Sequence, residues 1–254
     1  MPNAVSSTNK RHTAKLRRAY RLMRARYGHL RWWPGETAFE VCVGAILTQN
    51  TNWGNVERAI ANLRAARVLE PKKLFALSEK ELASLIRPAG YFNVKARRLR
   101  SFLRVLVENF AGNLKPLFAG ETAVVRERLL AIHGIGPETA DSMLLYAGEH
   151  HSFVIDAYTK RIFQRHGWWN GGVKSLKFKV QSSKATSAKG NSAQDYDLLK
   201  DLCEHSLNET PPAERLDYWQ DYHAQLVMVG KDFCRPRQPR CEECPLKPLL
   251  PKKS

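Results

Sequence analysis

From Ala38 to Leu47 the chain reads AFEVCVGAIL, ten positions with one charged side chain, Glu40. A run so apolar predicts a largely buried helix, with Cys42 as an ordinary core residue. Elsewhere apolar residues return at three- and four-residue spacing. That period predicts helices over Trp53 to Ala65, Glu79 to Ile86, Val94 to Phe110, Glu121 to Ala131, Glu138 to Ala147, Ala157 to Arg165 and Leu216 to Val229. Near the start, Leu16, Tyr20, Met23 and Tyr27 share one helical face, as a packed helix requires. Strand alternation is hard to find, so the expected fold class is all-α. One stretch breaks the pattern. Residues 171–193 hold five Lys, no acid and many Ser, Ala and Gly. This composition predicts an inserted loop, either solvated or touching DNA.

Charge narrows the partners. With 41 Lys and Arg against 24 Asp and Glu the formal charge is +17, which favours a polyanion, nucleic acid before an anionic membrane surface. No apolar run approaches the roughly 18 residues of a membrane span. The opening MPNAVSSTNKRH lacks a signal-peptide core. Lys10 to Arg31, with nine basic residues and no acid, could mimic a transit peptide, but its apolar face argues for a helix of the mature fold. These features predict a soluble, intracellular monomer without a membrane partner.

Two motifs suggest chemistry. In IHGIGPETAD, Gly134 and Gly136 can adopt turn dihedrals closed to other residues, and Pro137 suits the first turn of the next helix. A bare hairpin of this kind points backbone N–H groups outward at a helix N-terminus, where a phosphate can sit. The same glycines also suit a plain helix-to-helix turn. About twenty residues on, Asp156 ends the apolar run FVID.

Together these motifs resemble the helix-hairpin-helix (HhH-GPD) DNA glycosylases of the endonuclease III superfamily. GIGPETAD matches the hairpin and VIDAYTKRIF the segment with the catalytic aspartate. With ILTQNT, PAGYFNVKA and the cysteine-rich tail, the resemblance runs from about Trp33 to Pro245 and leaves out the 171–193 insertion. It implies two helical lobes: residues 38–152, ending in the hairpin, and residues 153–254, with residues 1–37 packed on the second. Double-stranded DNA carrying a damaged base would enter the cleft between them.

The resemblance assigns roles by position. Asp156 would stabilise the cationic sugar that forms as the base departs, and take a proton from the attacking water. Gly134, Ile135, Gly136, Glu138 and Thr139 would form the phosphate-binding hairpin, whose carbonyls hold a monovalent cation in family members. Gln49 matches the glutamine that fills the gap left by the flipped nucleotide, although an amide bonded within a helix-to-helix turn describes it equally well. Bifunctional members carry a lysine where this chain has Glu138, and a carboxylate cannot form a Schiff base. That departure implies hydrolytic base removal without strand cleavage. Lys160 is the nearby amine that could substitute, and a phosphate contact is its simpler role.

Trp32, Trp33, Pro34 and Trp53 resemble the base pocket of the 3-methyladenine glycosylases of this superfamily, where a cationic purine stacks on aromatic faces; they could equally be core anchors. Cys234, Cys241 and Cys244, at C-x6-C-x2-C spacing, match the family's [4Fe-4S] loop, except that Leu250 stands where the fourth cysteine would be. The readings of this loop are a cluster with a non-cysteine or solvent ligand, a [3Fe-4S] or labile cluster, a vestigial loop, and zinc. Cys203 could serve only if its segment reached the loop. Rival functions are an endonuclease III-like lyase on oxidised pyrimidines, a uracil or mismatch glycosylase, and a non-catalytic DNA-binding module.

Overall fold

A computed structural model describes residues 4–32, 35–169, 192–208 and 211–251. Among them the elements are α1 (Ala4–Tyr27), α2 (Ala38–Leu47), α3 (Trp53–Ala65), α4 (Pro71–Ala76), α5 (Glu79–Leu85), α6 (Phe92–Phe110), α7 (Leu114–Leu117), α8 (Thr122–Leu130), α9 (Pro137–Tyr146), α10 (Ala157–Arg165), α11 (Ser192–Leu207) and α12 (Pro212–Asp232). Short 3-10 turns lie at Arg87–Ala89 and Lys247–Leu249, and no strand occurs among the described residues. The predicted loop of residues 171–193 lies outside the described residues as far as 191. Trp33 and Pro34 lie outside them as well.

The chain divides into two compact units, Trp33–Ser152 and the pair of segments Met1–Trp32 and Phe153–Ser254.

The first of these units is built on α2. Thr37 caps that helix by accepting the N–H of Glu40, and Phe39 through Leu47 are buried. Glu40, the charge in the apolar run, is itself 6% exposed and is neutralised by Arg64 of α3 at 2.6 Å. At the other end of α2, the Lys95 ammonium donates to the carbonyls of Leu47 (2.9 Å) and Ala89 (2.7 Å). A helix end leaves its last carbonyls without partners, and a buried cation there satisfies one and complements the helix dipole. Helix α6 turns Leu99, Phe102, Leu103 and Leu106 into the same core, each contributing roughly 1.5–3 kcal/mol by burial. Helices α8 and α9 close the unit around Asp141, which is fully buried. Its carboxylate accepts two bonds from Arg126, at 2.8 and 3.1 Å, and one from Ser152.

In the second unit α1 lies against α11 and α12. Leu16, Ala19 and Met23 are buried on its inner face, and Tyr222 of α12 donates its hydroxyl to the carbonyl of Leu16. The buried carboxylate of Asp221 gathers Tyr20, Arg24 and the N–H of Leu30. Helix α10 packs on α12 at Gly230, where a Cβ would come within 2.3 Å of the Tyr158 ring, so a close helix crossing requires glycine there.

Candidate functional site

The hairpin spans the turn from α8 to α9. Gly134 has φ +89°, a region closed to most residues, and a Cβ there would strike the Arg98 side chain at 2.2 Å. Gly136 corrects the sequence expectation. Its φ of −94° and ψ of 176° are extended backbone open to any residue, so only the first glycine is needed for its dihedrals. What Gly136 supplies is bareness: it begins α9 with no side-chain cap, and a Cβ would meet nothing within 4 Å. Pro137 occupies the first turn, as expected. Between the glycines, Ile135 points into the core, 5% exposed, and its N–H donates to the carbonyl of Ile132 at 3.1 Å.

Gln49 follows α2 and is tied to this hairpin through its amide nitrogen and to α6 through its amide oxygen. Nε2 donates to the carbonyl of Gly134 (3.1 Å) and to Thr139 Oγ1 (2.9 Å), while Arg98 donates to Oε1. Thus Gly134, Thr139, Gln49 and Arg98 form one bonded cluster. Glu138 sits in the first turn of α9, where a carboxylate complements the helix N-terminus. Trp53 starts α3 and packs, partly buried, against the core of the same unit. Trp32 belongs to the other unit, with the Lys231 ammonium 5.2 Å from its ring centroid.

In that other unit Asp156 caps α10, with Oδ1 accepting the N–H of Thr159 at 2.7 Å. Sequence reasoning gave this residue a chemical role and missed the cap. It also missed His223 of α12, which is 4% exposed and holds Nε2 3.6 Å from Asp156 Oδ2, an ion-pair distance longer than an ordinary hydrogen bond. No spacing in the sequence relates a histidine on α12 to an aspartate before α10. Burial pushes the Asp156 pKa up, but His223 and Thr159 together outweigh it and hold the carboxyl below the usual aspartate range. The side chain is therefore an anion at neutral pH in a site 8% exposed. Lys160, one turn on, lies with its ammonium 5.4 Å from the Tyr196 ring centroid.

After α12 the tail folds back on α10. Arg165 donates to Cys234 Sγ (3.3 Å) and to the carbonyls of Arg235 (2.7 Å) and Pro236 (3.1 Å), and Arg161 donates to the carbonyl of Cys234. Cys234, Cys241 and Cys244 line one pocket with Arg165, His166 and Leu250. Among the described residues no three His, Cys, Asp or Glu side chains gather closely enough to share one metal ion. His166 is 7% exposed, and its Nδ1 has no hydrogen-bond partner among the described residues. Cys203 is fully buried in α11 and is absent from the pocket lining, which removes it as a ligand for this loop. Burial raises its thiol well above the usual range.

Among the described residues the fold is all-helical, with a bare hairpin before α9 and a buried anionic carboxylate before α10. Residues 43–185 match the HhH-GPD superfamily of base excision DNA repair proteins. A candidate DNA repair glycosylase of Methanocaldococcus jannaschii is 43% identical over 230 residues, covering 90% of this chain and 92% of that one. Endonuclease III of Thermotoga maritima is 26% identical over 209 residues, 82% and 80% of the two chains. Among solved structures, a 3-methyladenine DNA glycosylase of Helicobacter pylori bound to 1,N6-ethenoadenine aligns with TM-score 0.65 and 26% identity, over 87% of this chain and 97% of that one. An endonuclease III–DNA complex aligns with TM-score 0.69 at 17% identity, over 94% of both chains, which is a likeness of fold. The chain belongs to the HhH-GPD superfamily and is a base-excision DNA glycosylase. Among the described residues no helix is long and apolar enough to cross a membrane.

Proposed function

We propose that this glycosylase removes an alkylated purine such as 3-methyladenine from double-stranded DNA by water attack at C1′, leaving an abasic site and an uncut strand. The observation that carries the hydrolytic step is the anionic Asp156, fixed by Thr159 on one oxygen and faced by His223 on the other. A carboxylate held in a dry site stabilises the cationic sugar more than one in water does. Glu138, where bifunctional relatives place an amine, supports the absence of a Schiff base. The hairpin would grip backbone phosphate through the bare start of α9, a contact that positions without reading sequence. Gln49 would act as the gap-filling residue.

The alkylated purine is supported by the likeness to the Helicobacter pylori enzyme, 26% identical over 87% of this chain. The tail would hold an iron-sulfur cluster on Cys234, Cys241 and Cys244. When bound, such a cluster supplies a rigid loop that presents Arg235, Arg237 and Arg240, all exposed, to phosphate.

A lesion panel tests the substrate. Release of 3-methyladenine or 7-methylguanine from methylated DNA is expected. Undetectable release of both, with clear excision of uracil, mismatched thymine or oxidised pyrimidines, overturns the alkylation reading. Borohydride should trap no protein–DNA adduct. An adduct that disappears in Lys160→Ala would make the enzyme a lyase.

A further inference from the structure

We propose that His166 supplies the fourth protein ligand of an iron-sulfur cluster whose other ligands are Cys234, Cys241 and Cys244. The proposal rests on the reading of the tail as a cluster loop and names the donor that this loop lacks.

The position expected to hold a fourth cysteine is Leu250, which lines the pocket but offers no lone pair. His166 lines the same pocket from the opposite side of the sequence, as the residue that ends α10. Its Nδ1 is a buried nitrogen without a hydrogen-bond partner among the described residues. A buried polar atom left unpaired costs about 1–3 kcal/mol, and such an atom inside a protein calls for an explanation. Ligation to one iron of a cluster is one that also accounts for the three thiols lining the same pocket.

The backbone carbonyl of Leu249 faces the imidazole. Arg165, the preceding residue, fastens this end of α10 to the loop through Cys234 Sγ and two loop carbonyls, which holds the end of α10 beside Cys234. Imidazole is an established donor to iron in iron-sulfur centres, and it replaces an anionic thiolate by a neutral ligand, which raises the reduction potential.

The experiment uses the full chain purified without oxygen. Iron and acid-labile sulfide are measured first. The dithionite-reduced protein, labelled with 15N-histidine, is then studied by pulsed EPR. A strongly coupled histidine nitrogen is expected in wild type. His166→Leu should lose that coupling and most of its iron, or convert to a three-iron signal, with circular dichroism unchanged. Adding Leu250→Cys to His166→Leu should restore iron and lower the reduction potential below that of wild type. Wild-type protein with iron and sulfide but no histidine coupling, and iron retention unaffected by His166→Leu, would overturn the ligand assignment and leave the cluster standing. Iron-free wild type, or zinc without labile sulfide, would overturn both.

Discussion

Asp156 and His223 face each other across 3.6 Å, Oδ2 to Nε2, while the other carboxylate oxygen of Asp156 is committed to the N–H of Thr159. The pair makes one side chain serve two purposes, capping a helix and presenting a buried negative charge.

Asp156→Asn should therefore separate the two. Asparagine caps nearly as well as aspartate, so the melting temperature should change little. Base release should fall by about 10²–10⁴-fold, the range for loss of a positioned acid-base group. Damaged-DNA binding that persists while release stays at the wild-type rate would show that Asp156 has no part in the chemistry.

Removing the partner should act through pH. The folded-state pKa of Asp156 is depressed, so its stabilising contribution is present above the usual aspartate value of 3.8 and is lost as pH falls through the lower folded value. In His223→Leu burial would be opposed by Thr159 alone, and the carboxyl pKa would rise. The acid limb of base release should move to higher pH in this variant. An unshifted limb would mean that His223 does not set the ionisation of Asp156.

The two hairpin glycines should respond oppositely. Gly134→Ala forces a side chain into φ +89° and against Arg98, so a loss of at least about 1–3 kcal/mol is expected in denaturant unfolding. Gly136→Ala should stay within about 0.5 kcal/mol of wild type. Its new methyl group would stand where phosphate is to bind, so its affinity for DNA should drop. Equal stability losses in the two variants would refute this division.

Gln49→Ala removes two bonds given to the hairpin and one received from Arg98. A stability cost of about 1–3 kcal/mol should accompany any loss of DNA binding. Impaired base release with unchanged unfolding would instead assign Gln49 entirely to the DNA.

Lys95→Met leaves the carbonyls of Leu47 and Ala89 without their shared donor, at a cost on the order of 2–4 kcal/mol. Burial, helped by the Arg98 charge, lowers the Lys95 pKa to about 8. Between pH 8 and the ordinary 10.5 the unfolded chain binds more protons at this residue, so wild type gains stability as pH rises. The deficit of Lys95→Met should widen over that interval, and unfolding curves at pH 7.5 and 9.5 would test it.

The long helices were readable because burial of one face imposes a period on the residues. Ala38–Leu47, Trp53–Ala65 and Ala157–Arg165 have the same ends by pattern and by structure. Helices α4 and α7 span six and four residues, too short for a period to declare itself, and α11 begins beside a biased segment that has none. The chemistry of single positions was readable too: a carboxylate after VI, a carboxylate at Glu138, three thiols and a leucine. Pairing was not. Which cation neutralises Glu40, which amide ties down Gly134, which imidazole faces Asp156 and which one stands among the cysteines all depend on residues from separate helices. A linear pattern records which face of a helix is apolar, whereas a contact between two polar groups is set by how helices pack, and that packing is a property of the folded chain.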